Sequence, residues 1–145
     1  MNPELARLYQ RVILDHNKAP RNYGPLAGAT HEGHAYNPLC GDEVTVRLRL
    51  SSGIIAVLRF EARGCAIARA TASLMTCALE GVAVTAAASL QADFETFLRA
   101  PAGSARPDAL GELAVVEGVR EFPSRIACAT LPWQALLAAL SERTG

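Results

Sequence analysis

Apolar residues recur along the chain with two different periods, and each period predicts a different kind of element. Near the N-terminus the spacing is helical and predicts a helix from about residue 3 to residue 15. From residue 44 to residue 50 apolar and polar residues alternate, which predicts a half-buried strand. A second strand is predicted over 54–62, after a three-residue turn at 51–53, and a weaker signal predicts a short strand within 28–36.

Helical periods return after this hairpin. They predict helices over 66–80 and 89–98, and a last helix with Thr130 as its N-cap and Pro132 in its first turn. The order of helix, strands and helices predicts an α+β fold, with a small three-stranded antiparallel sheet packed against about five or six helices. No composition shift divides the chain, so we expect one domain over residues 1–145.

Composition excludes several functional classes. Half of the 145 residues are hydrophobic, and 14 Lys and Arg residues balance 14 Asp and Glu residues. Because nucleic-acid-binding proteins normally carry a basic excess, this balance argues against a nucleic-acid partner. No apolar run is as long as a membrane helix, and the N-terminal residues lack the apolar segment of a signal peptide. We therefore expect a soluble, cytoplasmic protein with no membrane partner.

The predicted hairpin brings two cysteines together at its open end. If Leu50 pairs with Ile54, every facing pair on one side of the hairpin is apolar. Extending the same register places Cys40 opposite Gly64. Since facing residues of an antiparallel pair lie about 5 Å apart, Cys40 and Cys65 are predicted to be near neighbours.

The cysteine positions indicate a metal or sulfur site that folding assembles. The chain has four cysteines and no CxxC pair, which excludes an ordinary zinc finger. Cys65 and Cys128 are each predicted to precede a helix, whose N-terminus favours the thiolate. Asp42 shares a strand face with Cys40, and thiols beside a carboxylate are typical metal ligands. Cys128 would be a fourth ligand if the last helix packs over the hairpin end; the alternative is that these cysteines only fill the core.

Other residues of ligand type are interpreted as structural. Cys77 lies twelve residues after Cys65, about 18 Å along a helix, and falls on its apolar stripe, so we predict that it is buried. His31 and His34 fall in an edge strand or loop, where exposed polar residues are ordinary. His16 closes the first helix, where a cation complements the helix dipole. None of the three histidines is predicted to be a ligand.

Three motifs occur in order along the chain: Asn37–Asp42 (NPLCGD), Gly64–Ala68 (GCAIA) and Cys128–Trp133 (CATLPW). Together they resemble the NifU/IscU family, and the resemblance covers nearly the whole chain. The long stretch before the third motif, which includes Pro101–Pro107, and the CATLPW ending are similar to the SufU branch. The resemblance implies the SufE/NifU-like form of the α+β fold.

The resemblance also implies a role in iron–sulfur cluster assembly, with Cys40, Asp42, Cys65 and Cys128 as metal ligands. In SufU-like proteins the metal is zinc, and Cys40 would accept persulfide sulfur from a SufS-like cysteine desulfurase. It would do so when a histidine of that partner replaces it on the zinc. Arg125 occupies the position of an arginine near the partner's loop and would contact the desulfurase. The sulfur would then reach a downstream scaffold or apo-proteins.

Two other functions use the same residues. A non-enzymatic scaffold would bind iron and assemble a [2Fe–2S] cluster, and a domain with purely structural zinc would do neither. Ala127 stands where IscU-type scaffolds have histidine, and Phe122–Ile126 differs from their chaperone-recognition motif. Both departures favour the sulfur acceptor over the scaffold. Whether the protein is an enzyme thus depends on which of these functions it performs.

Overall fold

The computed structural model describes residues 9–101 and 103–141. It confirms the predicted α+β class and the three-stranded antiparallel sheet. Residues 3–8 of the predicted first helix lie outside the described residues. The elements in chain order are a π-helical turn (Tyr9–Ile13), α1 (Leu14–Lys18), β1 (His31–Asn37), β2 (Asp42–Ser51), β3 (Ile54–Arg63), α2 (Ala66–Leu79), α3 (Val84–Arg99), a 3₁₀-helical segment (Asp108–Glu121) and α4 (Pro123–Ser141).

The core lies between one face of the sheet and the helices. The strands are arranged in the order β1-β2-β3, with α4 packed on β1 and β2 and α2 packed on β3. Val44, Val46 and Leu48 of β2 point into the core and are fully buried, as the alternation predicted. On the opposite face, Arg47 pairs with Glu32 and Glu61 from the two neighbouring strands. The sheet therefore has one apolar face and one charged face.

The observed hairpin register differs from the predicted one by two residues. The turn contains two residues, Ser52 and Gly53, whose φ angles of 50° and 76° are typical of a type I′ turn, so that Ser51 pairs with Ile54. A β-bulge next to Leu50 then shifts the pairing by one further residue. The two shifts together move the pairing of β2 with β3 by two residues. Because side chains alternate with a period of two, each β2 residue has a different partner from the predicted one but points to the predicted face of the sheet.

The last helix begins at Pro123, well before the predicted N-cap Thr130. Proline is tolerated at a first helical position because its missing N–H has no partner there in any case. Pro132 lies inside α4 instead of in its first turn, and Thr130 Oγ1 donates to the carbonyl of Ala127 (3.2 Å). The prediction was wrong because Pro132 and Trp133 are buried in the core, and this packing offsets the lost helical hydrogen bond.

The remaining predicted elements are present with shifted ends. β1 covers His31–Asn37 instead of 28–36, and α3 covers Val84–Arg99 instead of 89–98. Within the described residues, no helix is long and apolar enough to cross a membrane.

Gly33 allows α4 to lie directly against β1. A Cβ atom built on Gly33 would overlap the carbonyl oxygen of Ala135 and the backbone nitrogen of Ala139, and would lie 2.9 Å from the Ala139 Cα. All three are backbone atoms of α4, which cannot rotate away as a side chain could. The space left by the missing side chain therefore fixes how closely α4 approaches the sheet.

We expect Gly33→Ala to lower the free energy of unfolding by about 3 kcal/mol, because the methyl group must push α4 away from β1. Denaturant unfolding measures this change. The matched control is Glu32→Ala on the same strand, which removes an exposed ion pair with Arg47 and should cost less than about 1 kcal/mol. Equal stability of the two variants would show that the contact between α4 and β1 is looser than described.

Candidate metal centre

Cys40 lies on the tight turn that joins β1 to β2. The turn is closed by the Gly41 N–H, which donates to the Asn37 carbonyl (2.9 Å), and by the Leu39 N–H, which donates to Asn37 Oδ1 (3.1 Å). Gly41 has a φ of 76°, a conformation that favours glycine. The result is an exposed tip on which Leu39 is 94% exposed and Cys40 is also exposed.

Asp42 follows this turn as the first residue of β2 and is only 1% exposed. Its Oδ1 accepts a hydrogen bond from the Cys65 N–H (2.8 Å), and its Oδ2 lies 3.2 Å from Cys65 Sγ. The carboxylate fits because the residue beside it is Gly64: a Cβ there would overlap Asp42 Oδ1 and lie 2.7 Å from its Cγ. Gly64 also has a φ of 118°, which other residues rarely adopt.

The observed register shows that the predicted pairing of Cys40 with Gly64 is wrong. Asp42, rather than Cys40, is the β2 residue next to Gly64. The sequence analysis placed Gly64 opposite Cys40 and missed its role in making room for the carboxylate. A two-residue turn at Ser52-Gly53, in place of the predicted three-residue turn, would have corrected the register by one of the two residues.

Cys128 is supplied by α4 and is 2% exposed. The prediction that it precedes the last helix is wrong: it lies in the second turn of α4, with its Sγ 3.8 Å from the carbonyl oxygen of Ser124. Its Sγ is 3.9 Å from Cys40 Sγ, so these are two free thiols in contact. One ligand atom each of Cys40, Asp42 and Cys128 lies within 4.8 Å of the others. Packing of α4 over the hairpin end, which the sequence analysis set as the condition for Cys128, brings this residue to Cys40 and Asp42. Cys65 is not among these three residues and contacts the cluster through Asp42.

The cluster changes the acidity of its own groups. Burial alone would raise the pKa of the Asp42 carboxyl, but hydrogen bonds from the thiols of Cys40, Cys128 and Cys65 and from the Cys65 N–H hold that pKa below its usual value. Burial raises the pKa of the Cys128 thiol, and its contacts with Asp42 and Cys65 raise it further. Without a cation, the buried negative charge therefore resides on the carboxylate and Cys128 stays a thiol.

The spacing of the two contacting sulfurs is compatible with a tetrahedral zinc site. With zinc–sulfur bonds of about 2.3 Å, two ligating sulfurs lie about 3.8 Å apart. The sulfurs of Cys40 and Cys128 are 3.9 Å apart, and Cys65 Sγ lies 3.2 Å from Asp42 Oδ2. These residues could hold a cation whose charge offsets the cost of burying a carboxylate and ionising a buried thiol.

The other candidate residues lie outside the cluster. Cys77 is exposed, at the opposite end of α2 from Cys65, so its predicted burial is wrong; it lies on the side of α2 that borders an open cavity. His34 on β1 pairs with Glu43 (3.3 Å), and His16 is buried against Ser73. Arg125 is exposed on α4, three residues before Cys128.

Comparisons with known proteins identify the family of this chain. Residues 8–129 match the NifU-like N terminal domain family. The chain is 37% identical to the zinc-dependent sulfurtransferase SufU of Bacillus subtilis (strain 168), over 99% of this chain and 97% of that protein. It is 34% identical to the iron–sulfur cluster assembly scaffold protein IscU of Streptococcus pyogenes serotype M1, over 96% and 86% of the two chains.

A solved structure shows the same fold. It is described as an iron–sulfur cluster assembly scaffold protein for the SUF system of Fervidobacterium islandicum AW-1. The TM-score is 0.84 at 28% identity, and the match covers 92% of this chain and 97% of that one. The family resemblance carried by the three motifs is thereby confirmed. The chain belongs to the family of NifU-like N-terminal domains.

Proposed function

We propose that this protein accepts persulfide sulfur from a cysteine desulfurase in iron–sulfur cluster assembly, as a zinc-dependent sulfurtransferase does. The observation that carries the proposal is the difference in exposure among the three thiols around Asp42. Cys128 is buried, Cys65 is half-buried, and Cys40 is exposed on a protruding turn. A partner protein could therefore reach Cys40 most directly.

We propose zinc as the resident ion, held by Cys40, Asp42, Cys65 and Cys128. The spacing of the two sulfurs supports zinc, as does the buried carboxylate, which needs a cation. When bound, zinc would keep the cysteine ligands deprotonated, and thus both nucleophilic and protected. Similarity to a zinc-dependent sulfurtransferase supports the same assignment.

In the transfer step, the Cys40 sulfur attacks the outer sulfur of the desulfurase persulfide. A new S–S bond forms on Cys40 while the S–S bond of the donor breaks, and the donor cysteine leaves as a thiolate. Leu39 next to Cys40 is 94% exposed and offers an apolar contact for the partner. Arg125, exposed on α4 before Cys128, is our proposed charged contact with the desulfurase.

We propose that residues 1–145 act as one domain and in the cytoplasm, where reducing conditions keep these thiols free. Downstream scaffolds or apo-proteins would receive the sulfur. The alternative function is a scaffold that builds a [2Fe–2S] cluster on the same donors, and the similarity to the Streptococcus pyogenes scaffold protein favours it. Because both functions use one set of ligands, the bound metal distinguishes them.

Metal analysis of protein purified without added iron tests the two functions against each other. We expect about one zinc per chain and no visible absorption, because the sulfur spacing suits a single tetrahedral ion. A labile brown cluster that transfers to an apo-ferredoxin would instead establish the scaffold. If zinc is present but the protein neither stimulates alanine release by the desulfurase nor gains a persulfide, the zinc is only structural.

Cys40→Ala should abolish sulfur acceptance, since it removes the exposed thiol of the cluster. The measurement is the mass of the protein after incubation with desulfurase and cysteine, which shows each added sulfur atom. Cys77→Ala is the matched control, because Cys77 is also exposed but lies at the far end of α2. Persulfide on the Cys40→Ala protein, or its loss from the Cys77→Ala protein, would contradict the assignment.

Asp42→Ala and Gly64→Ala should both weaken zinc retention, by about tenfold or more. The first removes the oxygen ligand, and the second drives a methyl group into that same carboxylate. Competition with a chromophoric chelator measures the zinc dissociation constants. Gly53→Ala is a control for the effect of a side chain at a positive-φ glycine, because Gly53 has no atom within 4 Å of its Cβ position. Wild-type zinc affinity in the Gly64→Ala protein would show that the carboxylate can bind from another position.

A further inference from the structure

The open cavity beside Cys77 lies away from the cysteine–aspartate cluster, between the C-terminal half of α2 and the 3₁₀-helical segment Asp108–Glu121. Its volume is about 600 Å³, within the range of small-molecule sites. Cys77 lines it, whereas Cys65 at the cluster is twelve residues earlier on α2, about 18 Å away along the helix axis. The cavity is therefore separate from the candidate metal centre.

The floor of this cavity is apolar. Leu74 of α2 and Leu110 and Leu113 of the 3₁₀-helical segment are each no more than 2% exposed. The segment bends at Gly111 (φ 52°, ψ −130°), which also lines the cavity. Leu90 of α3 completes the apolar lining. Such a floor would bury the hydrocarbon part of a ligand.

His16 presents a buried polar group in the wall of this cavity. The residue is 5% exposed, and its Nδ1 lies 2.8 Å from Ser73 Oγ. Ser73 Oγ also accepts the Arg21 N–H (2.9 Å). We assign the Ser73 hydroxyl hydrogen to the bond with Nδ1, which places the ring proton on Nε2. Within residues 9–101 and 103–141, Nε2 has no hydrogen-bond partner. Nε2 is not among the fully buried polar atoms without a partner in the described part of the chain, so it is accessible from the cavity, where an acceptor oxygen of a ligand can bond to it.

Two opposite charges line the same cavity. The cation is Arg21, whose guanidinium also forms an ion pair with Asp15 (2.8 Å). The anion is Glu112, which is exposed on the 3₁₀-helical segment. Burial lowers the pKa of His16; Arg21 lowers it further, while Asp15 and Glu112 oppose this shift. The imidazole is therefore neutral at pH 7 and acts as a hydrogen-bond donor.

Cys77 lines the cavity with a neutral thiol that is not reactive. Partial burial of its sulfur raises the pKa of the thiol, Arg21 lowers that pKa, and Glu112 and Glu80 raise it. At neutral pH the side chain stays a thiol, which is a weak nucleophile. The cavity therefore combines an apolar floor, a neutral donor, a cation and an anion, which suits reversible binding.

We propose that this cavity binds a free α-amino acid with an apolar side chain. The α-carboxylate would accept from His16 Nε2–H and lie near Arg21, and the α-ammonium group would pair with Glu112. The side chain would lie on the leucine floor. A plain carboxylate would lack the contact with Glu112, and a plain amine would lack the contacts with His16 and Arg21, so a zwitterion makes more contacts here than either.

The test uses the full, zinc-loaded chain labelled with ¹⁵N, titrated with L-leucine and observed by two-dimensional NMR. Two analogues of similar shape are titrated in parallel: 4-methylpentanoate lacks the ammonium group, and 3-methylbutylamine lacks the carboxylate. We expect saturable shifts of the Cys77, Gly111 and Leu113 amides with L-leucine. Each analogue should bind about tenfold more weakly, because it loses one charge-assisted contact.

Variants test the location of binding. Cys77→Phe should fill the cavity and abolish the shifts, whereas Cys77→Ser keeps its volume and should bind L-leucine as the wild type does. Glu112→Gln changes an exposed residue and should reduce L-leucine affinity to the level of 4-methylpentanoate, even if Cys77→Phe fails to fold. The proposal is overturned by an absence of saturable shifts, by equal binding of 4-methylpentanoate, or by shifts confined to Cys40 and Cys65.

Discussion

The buried carboxylate of Asp42 is the constraint on which the site depends. A charged group that is 1% exposed must be compensated, and here the Cys65 N–H at the start of α2 and the surrounding thiols provide the compensation. The carboxylate can occupy this position only because Gly64 has no side chain. One acidic residue thus joins the end of the hairpin to the first turn of a helix.

The three thiols around that carboxylate differ in exposure because they come from different kinds of element. A protruding turn exposes Cys40, the N-cap of α2 leaves Cys65 half-buried, and the interior of α4 buries Cys128. A site built in this way has one accessible sulfur and two sheltered ones. That asymmetry suits a reaction in which one cysteine meets a partner while the others retain the ion.

Sulfur acceptance and cluster assembly place different demands on similar ligands. Relatives named for each activity match this chain at 37% and 34% identity, so overall similarity does not separate the two functions. The residues near the candidate site distinguish the two functions better than overall identity does. Ala127, next to Cys128, provides no additional metal ligand, and His31 and His34 lie on β1 outside the cluster. The proposed set of three sulfurs and one carboxylate oxygen would be sufficient for a single tetrahedral zinc ion.

The sequence by itself determined the alternation of β2 and the helix after Cys65. These follow from local periodicity and motif spacing, which depend on neighbouring residues. Tertiary structure decided the register, the start of α4 and the exposure of Cys77. The register of β2 with β3 depends on the type of turn and on a bulge. Alternative turns and bulges differ little in local free energy, so packing across the sheet determines which of them forms. Pro132 can remain inside α4, and Cys128 can meet Cys40, only because α4 packs against a sheet whose Gly33 lets it approach.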